Sequence, residues 1–264
     1  MMPRKHVAGF LTFLFLYLMA FPAHAADHLY QYSTIDALLA GLYDGELTLG
    51  DLVRQGDFGL GTVNTLDGEL VVLDGVPYHI KAGGKADVAP DFTRTPFAVV
   101  TRFDEDTILK LDAIDSMEAM NKALVEGLPS RNSFYAIRLD GRFSMVKARA
   151  IPGQHKPYKP LGELVKTQVI VKFTNVEGTL VGFWSPSFVK GINVPGFHWH
   201  FLTKDRTRGG HVLDCSFTGL LARVDEIREF TLALPRSRDF DSVDLTSDRA
   251  KELDAVEKAP AGKQ

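Results

Sequence analysis

The sequence predicts an α+β protein built on mixed and antiparallel β-sheets with a few short helices. Two observations carry this reading. Apolar–polar alternation recurs in short runs separated by Asp-Gly pairs, the pattern of half-buried strands closed by tight hairpins. Helical spacing is confined to a few capped windows, which do not alternate regularly with strands as a parallel βαβ sheet requires. Composition agrees: 264 residues, 45% hydrophobic and 24% charged, are globular proportions and enough chain to bury a core without staples. The single cysteine, Cys215, excludes an intrachain disulfide and a Cys-based zinc cluster. A formal net charge of −3 gives no basic field, so no nucleic-acid partner is expected. Gly59-x-Gly61 lacks the third glycine of a dinucleotide fingerprint, and no P-loop occurs.

The first 25 residues stand apart. Arg4 and Lys5 precede an uncharged apolar run over residues 7–20, and Ala23-His24-Ala25 fits small-x-small cleavage. This is the three-part pattern of a secretory signal peptide. The run is shorter than the roughly 20 residues of a spanning helix. Residues 1–25 are therefore expected to be cleaved near Ala25, leaving a periplasmic or secreted protein without a membrane association.

Further along, residues 33–41 predict a short helix with Ser33 or Thr34 as N-cap and Gly41 as stop, and residues 48–54 a second one. Strands are expected at 59–64, 69–73 and 76–80, with hairpin signals at Asp67-Gly68 and Asp74-Gly75, and again at 97–103. Met117, Met120 and Leu124 space a helix over 114–126 that ends at Gly127. Residues 134–139 and 142–150 alternate around Asp140-Gly141, which predicts a third hairpin. Pro152, Pro157 and Pro160 mark residues 151–160 as a linker or exposed loop. A helical turn at 161–167 and strands at 168–175, 178–184, 197–203 and 211–218 follow, with weaker amphipathicity over 224–230. Residues 239–264 are polar and charged, the composition of a frayed tail.

Three of the histidines fall within GFHWHFLTKDRTRGGH. On a strand, His198 and His200 share a face, with Trp199 on the other. The polar turn at 204–210 brings back a strand that His211 opens, alternating with Leu213, Cys215 and Phe217. One face of this hairpin thus presents three imidazoles over an apolar floor. Three His ligands with an open position is the layout of a catalytic Zn²⁺ site. The alternative is two surface imidazoles and one packed in the core. Zinc is favoured because no carboxylate follows His200 closely. Asp205, the one candidate, falls in the turn. Fe and Mn stay open, since imidazole suits several metals. His79 and His155 are isolated and read as structural or surface residues, and Cys215 as a small core residue.

The segments GFHWHFL at 196–202 and GGHVLD at 209–214 occur together with GDFGLGT at 56–62, LDGEL at 66–70, DGVPY at 74–78 and FYAIR at 134–138. In these the chain resembles the bacterial α-acetolactate decarboxylase family, along nearly all of its length after the leader. The resemblance implies removal of CO₂ from 2-acetolactate (2-hydroxy-2-methyl-3-oxobutanoate) to give (R)-acetoin. It implies one zinc per chain on His198, His200 and His211, catalytic roles for Glu69, Arg149 and Glu257, and substrate contacts from Thr62 and Arg149. Glu252 is the alternative acid in the segment of Glu257. It further implies a homodimer and two sheet-containing parts, expected at 26–155 and 156–240 and divided near the prolines. A tail at 241–264 would fold over the site.

The chemistry asks for such groups. Losing CO₂ from a 3-keto acid leaves an electron pair that flows into the ketone as an enediolate, which a Lewis acid stabilises. An arginine fork suits the carboxylate or the enediolate, though alternation over 142–150 leaves open which face Arg149 takes. A carboxylic acid with a raised pKa is the natural proton donor, and Glu69 adjoins apolar residues 70–73, where burial raises a pKa. Two other readings share the three His: a zinc-dependent hydrolase or other metal lyase, and a non-catalytic exported zinc-binding protein. The second needs a closed ligand set, and only three clear ligands are present. A serine hydrolase lacks its Gly-x-Ser-x-Gly elbow.

Overall fold

The computed structural model describes residues 28–257, so the expected leader at 1–25 lies outside the described residues. Strand β1 (His28–Tyr32) leads into helix α1 (Ile35–Leu39), which starts where Thr34 Oγ1 accepts the Ala37 N–H at 3.2 Å, satisfying one of the unpaired donors of the first turn. Short β2 (Leu47–Thr48) runs into α2 (Leu49–Gln55), capped in the same way by Thr48 on the Asp51 N–H. There follow β3 (Phe58–Thr62), β4 (Glu69–Leu73), β5 (Val76–Ile80), β6 (Ala86–Val88), β7 (Arg94–Thr95), β8 (Phe97–Thr101) and β9 (Thr107–Leu111). Helix α3 (Met117–Gly127) is capped by Ser116 on the Ala119 N–H. The second half holds β10 (Phe134–Ala150), α4 (Leu161–Leu164), β11 (Val169–Ser185), β12 (Gly196–Thr203), β13 (Gly209–Ser216), β14 (Leu220–Ile227), β15 (Glu229–Ala233), α5 (Arg238–Ser242) and α6 (Ala250–Glu257).

The α+β class predicted from the sequence is the one observed. A seven-stranded sheet has the order β15-β1-β8-β3-β4-β5-β6, antiparallel except for the β1–β15 pair. A six-stranded sheet has the order β11-β12-β13-β10-β14-β9, and β10 also pairs with β11. Strands β10, β11, β12 and β13 therefore close into a ring. Between β4 and β5, Asp74 and Gly75 take φ of +55° and +78°, the left-handed pair a two-residue hairpin needs.

Three core regions result. Between the two sheets, Phe58, Leu60, Val71 and Phe97 meet Val181, Phe183 and Leu202. The outer face of the first sheet, with Leu70, Val72 and Val100, packs on Leu49 and Leu52 of α2. Inside the ring, Phe143, Trp199, Phe201 and Phe217 pack with Met120 and Leu124 of α3. Each such fully buried side chain stabilises the fold by roughly 1.5–3 kcal/mol. Among the described residues no helix is long and apolar enough to cross a membrane.

Three expectations are corrected. The hairpin at Asp140-Gly141 does not form: both residues lie inside β10, paired with Thr179 and Gly178 of β11. The Asp140 carboxylate accepts from Thr179 Oγ1 at 2.7 Å and from Arg138 and Arg223, so long-range pairing outcompetes a local turn. For the same reason residues 168–175 and 178–184 merge into β11. The frayed-tail composition at 239–264 does not keep the chain from forming a helix, α6, whose Leu253 and Val256 are buried in the core that also holds Leu161 and Leu164 of α4, in the segment expected to fold over the site. Finally, the two sheets do not separate at 151–160, because β9 and β10 join the sheet of the histidine hairpin and β15 returns to β1.

Gly182 of β11 lies directly across from Trp199 of β12, and an added Cβ would sit 2.0 Å from the indole ring. Gly182→Ala is therefore expected to destabilise the protein by about 1–3 kcal/mol through overpacking, measured by urea denaturation. A variant as stable as the wild type would contradict this packing.

Candidate active site

Alternation along β12 sends Trp199 and Phe201 into the ring, so His198 and His200 face the first sheet. His200 pairs across strands with His211 of β13, which brings side chains to within contact. The three imidazoles each offer a nitrogen within 4.8 Å of the others, and their exposures are 8%, 1% and 3%. His200 Nδ1 lies 2.8 Å from the Leu70 carbonyl of β4. A carbonyl only accepts, so Nδ1 carries the proton and Nε2 keeps its lone pair. That Nε2 is buried without a hydrogen-bond partner, as is His198 Nδ1. Burial, with the Arg149 charge adding to it, pushes His198 down to about 3. Burial also holds His200 and His211 well below the ordinary imidazole value, reinforced by their neighbours and by Arg149.

Neutral buried imidazoles with an orphaned nitrogen are what a metal ligand set requires. His198 and His200 each have one, and together with His211 they fit a borderline divalent cation such as zinc. The bond from Leu70 fixes the His200 tautomer in the manner of an outer-shell partner.

Arg149 stands in register with His211, from the neighbouring strand β10. It is 5% exposed, and its Nη2 donates to the Val256 carbonyl of α6 at 3.2 Å. Glu69, the first residue of β4, places Oε2 3.4 Å from His200 Nε2 and Oε1 3.6 Å from Arg149 Nη1. Glu257, at the end of α6, places Oε2 3.8 Å from His198 Nε2 and 3.7 Å from His211 Nε2. Burial outweighs the Arg149 charge at both acids, raising Glu69 to about 8, with Glu257 adding to the rise, and Glu257 itself to about 7. Two carboxyls therefore hold protons near neutral pH.

Thr62, Glu69, Arg149, His198 and His200 line one chamber of about 40 Å³, walled on its apolar side by Phe97. Glu257 also borders a neighbouring cavity of about 720 Å³ beside Met117, Phe197, Arg249 and Leu253. The Thr62 hydroxyl donates to the Gly68 carbonyl at 2.7 Å, so its proton is committed to the turn before Glu69. All seven residues singled out in the sequence thus gather in one place. Glu252 does not join them: it pairs with Arg249 at 3.0 Å.

Cys215 needs a correction. Simple alternation would put it on the face of His211. A register shift opposite Lys147 and Ala148 adds one residue to β13, and such a bulge reverses the facing beyond it. Cys215 therefore lies with Val212 inside the ring, 3.7 Å from Met120 Sδ. Burial pushes its thiol up to about 12, which keeps it protonated and inert. Two site groups have no signature in the sequence, the carbonyls of Leu70 and Val256, because backbone atoms carry no residue type.

Fold and site together define a class: a two-sheet α+β protein with a buried, three-imidazole pocket able to hold a metal, flanked by two carboxyls and a guanidinium. The chain belongs to the α-acetolactate decarboxylase family, whose profile matches residues 29–247. It is 47% identical over 235 residues to the α-acetolactate decarboxylase of Methanosarcina mazei, covering 89% of this chain and 82% of that one. It is 42% identical to that of Bacillus subtilis, over 89% and 92% of the two chains. The crystal structure of the Bacillus subtilis strain 168 protein superposes with a TM-score of 0.85 at 41% identity, over 88% of this chain and all of that one. The profile ends before α6, so the position of Glu257 rests on the packing of that helix.

The shifts fix a stability profile for the metal-free protein. Folded Glu69 and Glu257, at about 8 and 7, hold protons that unfolded carboxyls take up only near 4.5. Stability is therefore expected to rise by roughly 1 kcal/mol as the pH falls from about 8 to 6.5, the gain of about 2 kcal/mol from the acids being partly offset as the three unfolded imidazoles begin to take up protons. Below 6.5 the unfolded imidazoles gain protons that the buried ones refuse, and this stability is lost again. Urea midpoints across this range test the reading. The Glu69→Gln, Glu257→Gln double variant should lose the rise, and a flat wild-type profile from 8 to 6.5 would refute it.

Proposed function

We propose that the protein is an α-acetolactate decarboxylase that converts 2-acetolactate to (R)-acetoin and CO₂, with one zinc per chain on His198, His200 and His211. The observation that carries this reading is the convergence of three buried imidazoles with Glu69, Arg149 and Glu257, each carboxyl within 4 Å of an imidazole, in a chain of this family. When bound, the zinc supplies Lewis acidity to the adjacent keto and hydroxyl oxygens of the substrate.

The chain's own residues do the rest. Arg149 offers a planar, permanently charged fork to the substrate carboxylate. Once CO₂ leaves, the electron pair of the broken C–C bond resides in the enediolate, and the guanidinium stays beside that negative charge. Because the charge develops in the transition state, this placement lowers the barrier more than it strengthens binding. A protonated carboxyl, Glu69 or Glu257, then gives its proton to the carbon that lost CO₂ and recovers one from water. The substrate anion plus one proton thus becomes CO₂ and neutral acetoin. Burial of both carboxyls favours the protonated form that a donor needs. Delivery from one wall of a fixed chamber gives a single enantiomer. Thr62 lines the chamber and holds the turn that presents Glu69. The proposal includes export by the leader at 1–25 and a homodimeric state.

Purified protein is expected to form acetoin from racemic acetolactate, to lose that activity on chelation and to regain it with added zinc. A folded, zinc-loaded protein that forms no acetoin would remove the substrate assignment. Deleting the residues after Ala250 removes Glu257 and the carbonyl that holds Arg149, so kcat should fall about 100-fold or more. Full activity in the truncated protein would exclude a role for α6.

A further inference from the structure

Glu69 enters the site from a turn with unfavourable backbone geometry. Thr65 and Leu66 take left-handed φ of +63° and +55°, and Gly68 follows at +79°. Side-chain-bearing residues stay in that region only where their surroundings enforce it. Here the Tyr43 carbonyl accepts the Thr65 N–H at 2.8 Å, the Thr65 carbonyl accepts the Gln154 N–H at 2.7 Å, and the Ile151 carbonyl accepts the Gly68 N–H at 2.9 Å. No side chain fits at position 68, where a Cβ would lie 2.0 Å from the Ile80 carbonyl oxygen.

The turn is also held from both faces of the first sheet. On the chamber side, Thr62 donates to the Gly68 carbonyl. On the other side stands His79 of β5, directly across from Leu70 and so on the outer face that Leu70 shares with α2. Its Nε2 bonds the Asp67 carbonyl and lies 3.5 Å from Asp67 Oδ2, with the side chain 15% exposed. A carbonyl only accepts, so Nε2 carries the proton and donates it.

We propose that His79 is a positioning residue for the active site: by holding the Asp67 carbonyl it fixes where β4 begins. Strand β4 then delivers two groups to one imidazole. The Glu69 carboxyl stands 3.4 Å from His200 Nε2, and the Leu70 carbonyl accepts from His200 Nδ1 at 2.8 Å. A shift of the turn moves both at once. The kinetic side of this inference rests on the decarboxylase reading, and its metal-binding side on the three-histidine site alone.

The test compares the full-length variants His79→Leu and His79→Gln with wild type. His79→Leu removes the donor at similar size and should lower kcat about tenfold or more with KM within about twofold, since small misplacements act on the chemical step. It should also lower the enantiomeric purity of the acetoin. His79→Gln keeps an N–H at the same reach and should restore most of kcat. In competition with a chromophoric chelator, His79→Leu should bind zinc about tenfold more weakly, as loss of outer-shell support does. Wild-type kcat in His79→Leu, or equal losses in both variants, would overturn the assignment. Should His79→Leu fail to fold, His79→Asn, with its donor one bond short, replaces it against His79→Gln under the same criteria. If wild type forms no acetoin, the decarboxylase reading falls, and unchanged zinc affinity in His79→Leu overturns the positioning role.

Discussion

Three uncharged imidazoles buried between two sheets are the constraint on which the rest of this structure turns. Imidazoles are costly to bury unless their nitrogens are occupied, and here the occupation is divided among elements far apart in sequence. His200 reaches across the inter-sheet core to the Leu70 carbonyl at 2.8 Å, so the ring and the first sheet are tied together at the site itself. Any rotation of one sheet against the other would break that bond and part Glu69 from His200. The inter-sheet core of Phe58, Val71, Val181 and Phe183 resists such rotation because interiors packed to crystal density deform in steps, not continuously.

The charged groups follow from the same burial. Among the described residues that line the chamber, Arg149 is the one permanent charge, and it depresses the imidazoles while only partly offsetting the desolvation of the two acids. The outcome separates the roles: imidazoles keep their lone pairs and carboxyls keep their protons. In water the same side chains would do the reverse at neutral pH, carboxyls ionised throughout and imidazoles partly charged in mild acid. A ligand set and a proton source can therefore coexist within 4 Å of each other.

Strand order explains why the site closes. The ring of β10 to β13 puts Arg149 next to His211, and the bulge in β13 lets His211 face the first sheet while Cys215 turns inward. Helix α6 completes the wall with Leu253 and Val256 in the core, a place that its polar composition does not announce. Burial of two apolar residues and one backbone hydrogen bond to Arg149 are enough to order it.

Much of this was legible in the sequence, for a physical reason. Period-two alternation, Asp74-Gly75, the cap at Ser33 or Thr34 and the spacing of Met120 and Leu124 are local signals, read correctly because each is decided by its own neighbourhood. The His-x-His spacing likewise fixes a shared face without knowledge of the fold. Asp140-Gly141 misled because a turn signal is weak against fifteen cross-strand pairs with β11. The facing of Cys215 was wrong because a one-residue bulge in β13 decides it, and that of Arg149 was open because only the cross-strand pairing with His211 shows which face of β10 meets the site. The sequence by itself determined the fold class, most of the element types, the paired imidazoles and the family. Only the tertiary structure decided which carbonyl orients His200, which acids are buried enough to stay protonated and where the tail lies, because each depends on contacts between segments more than a hundred residues apart.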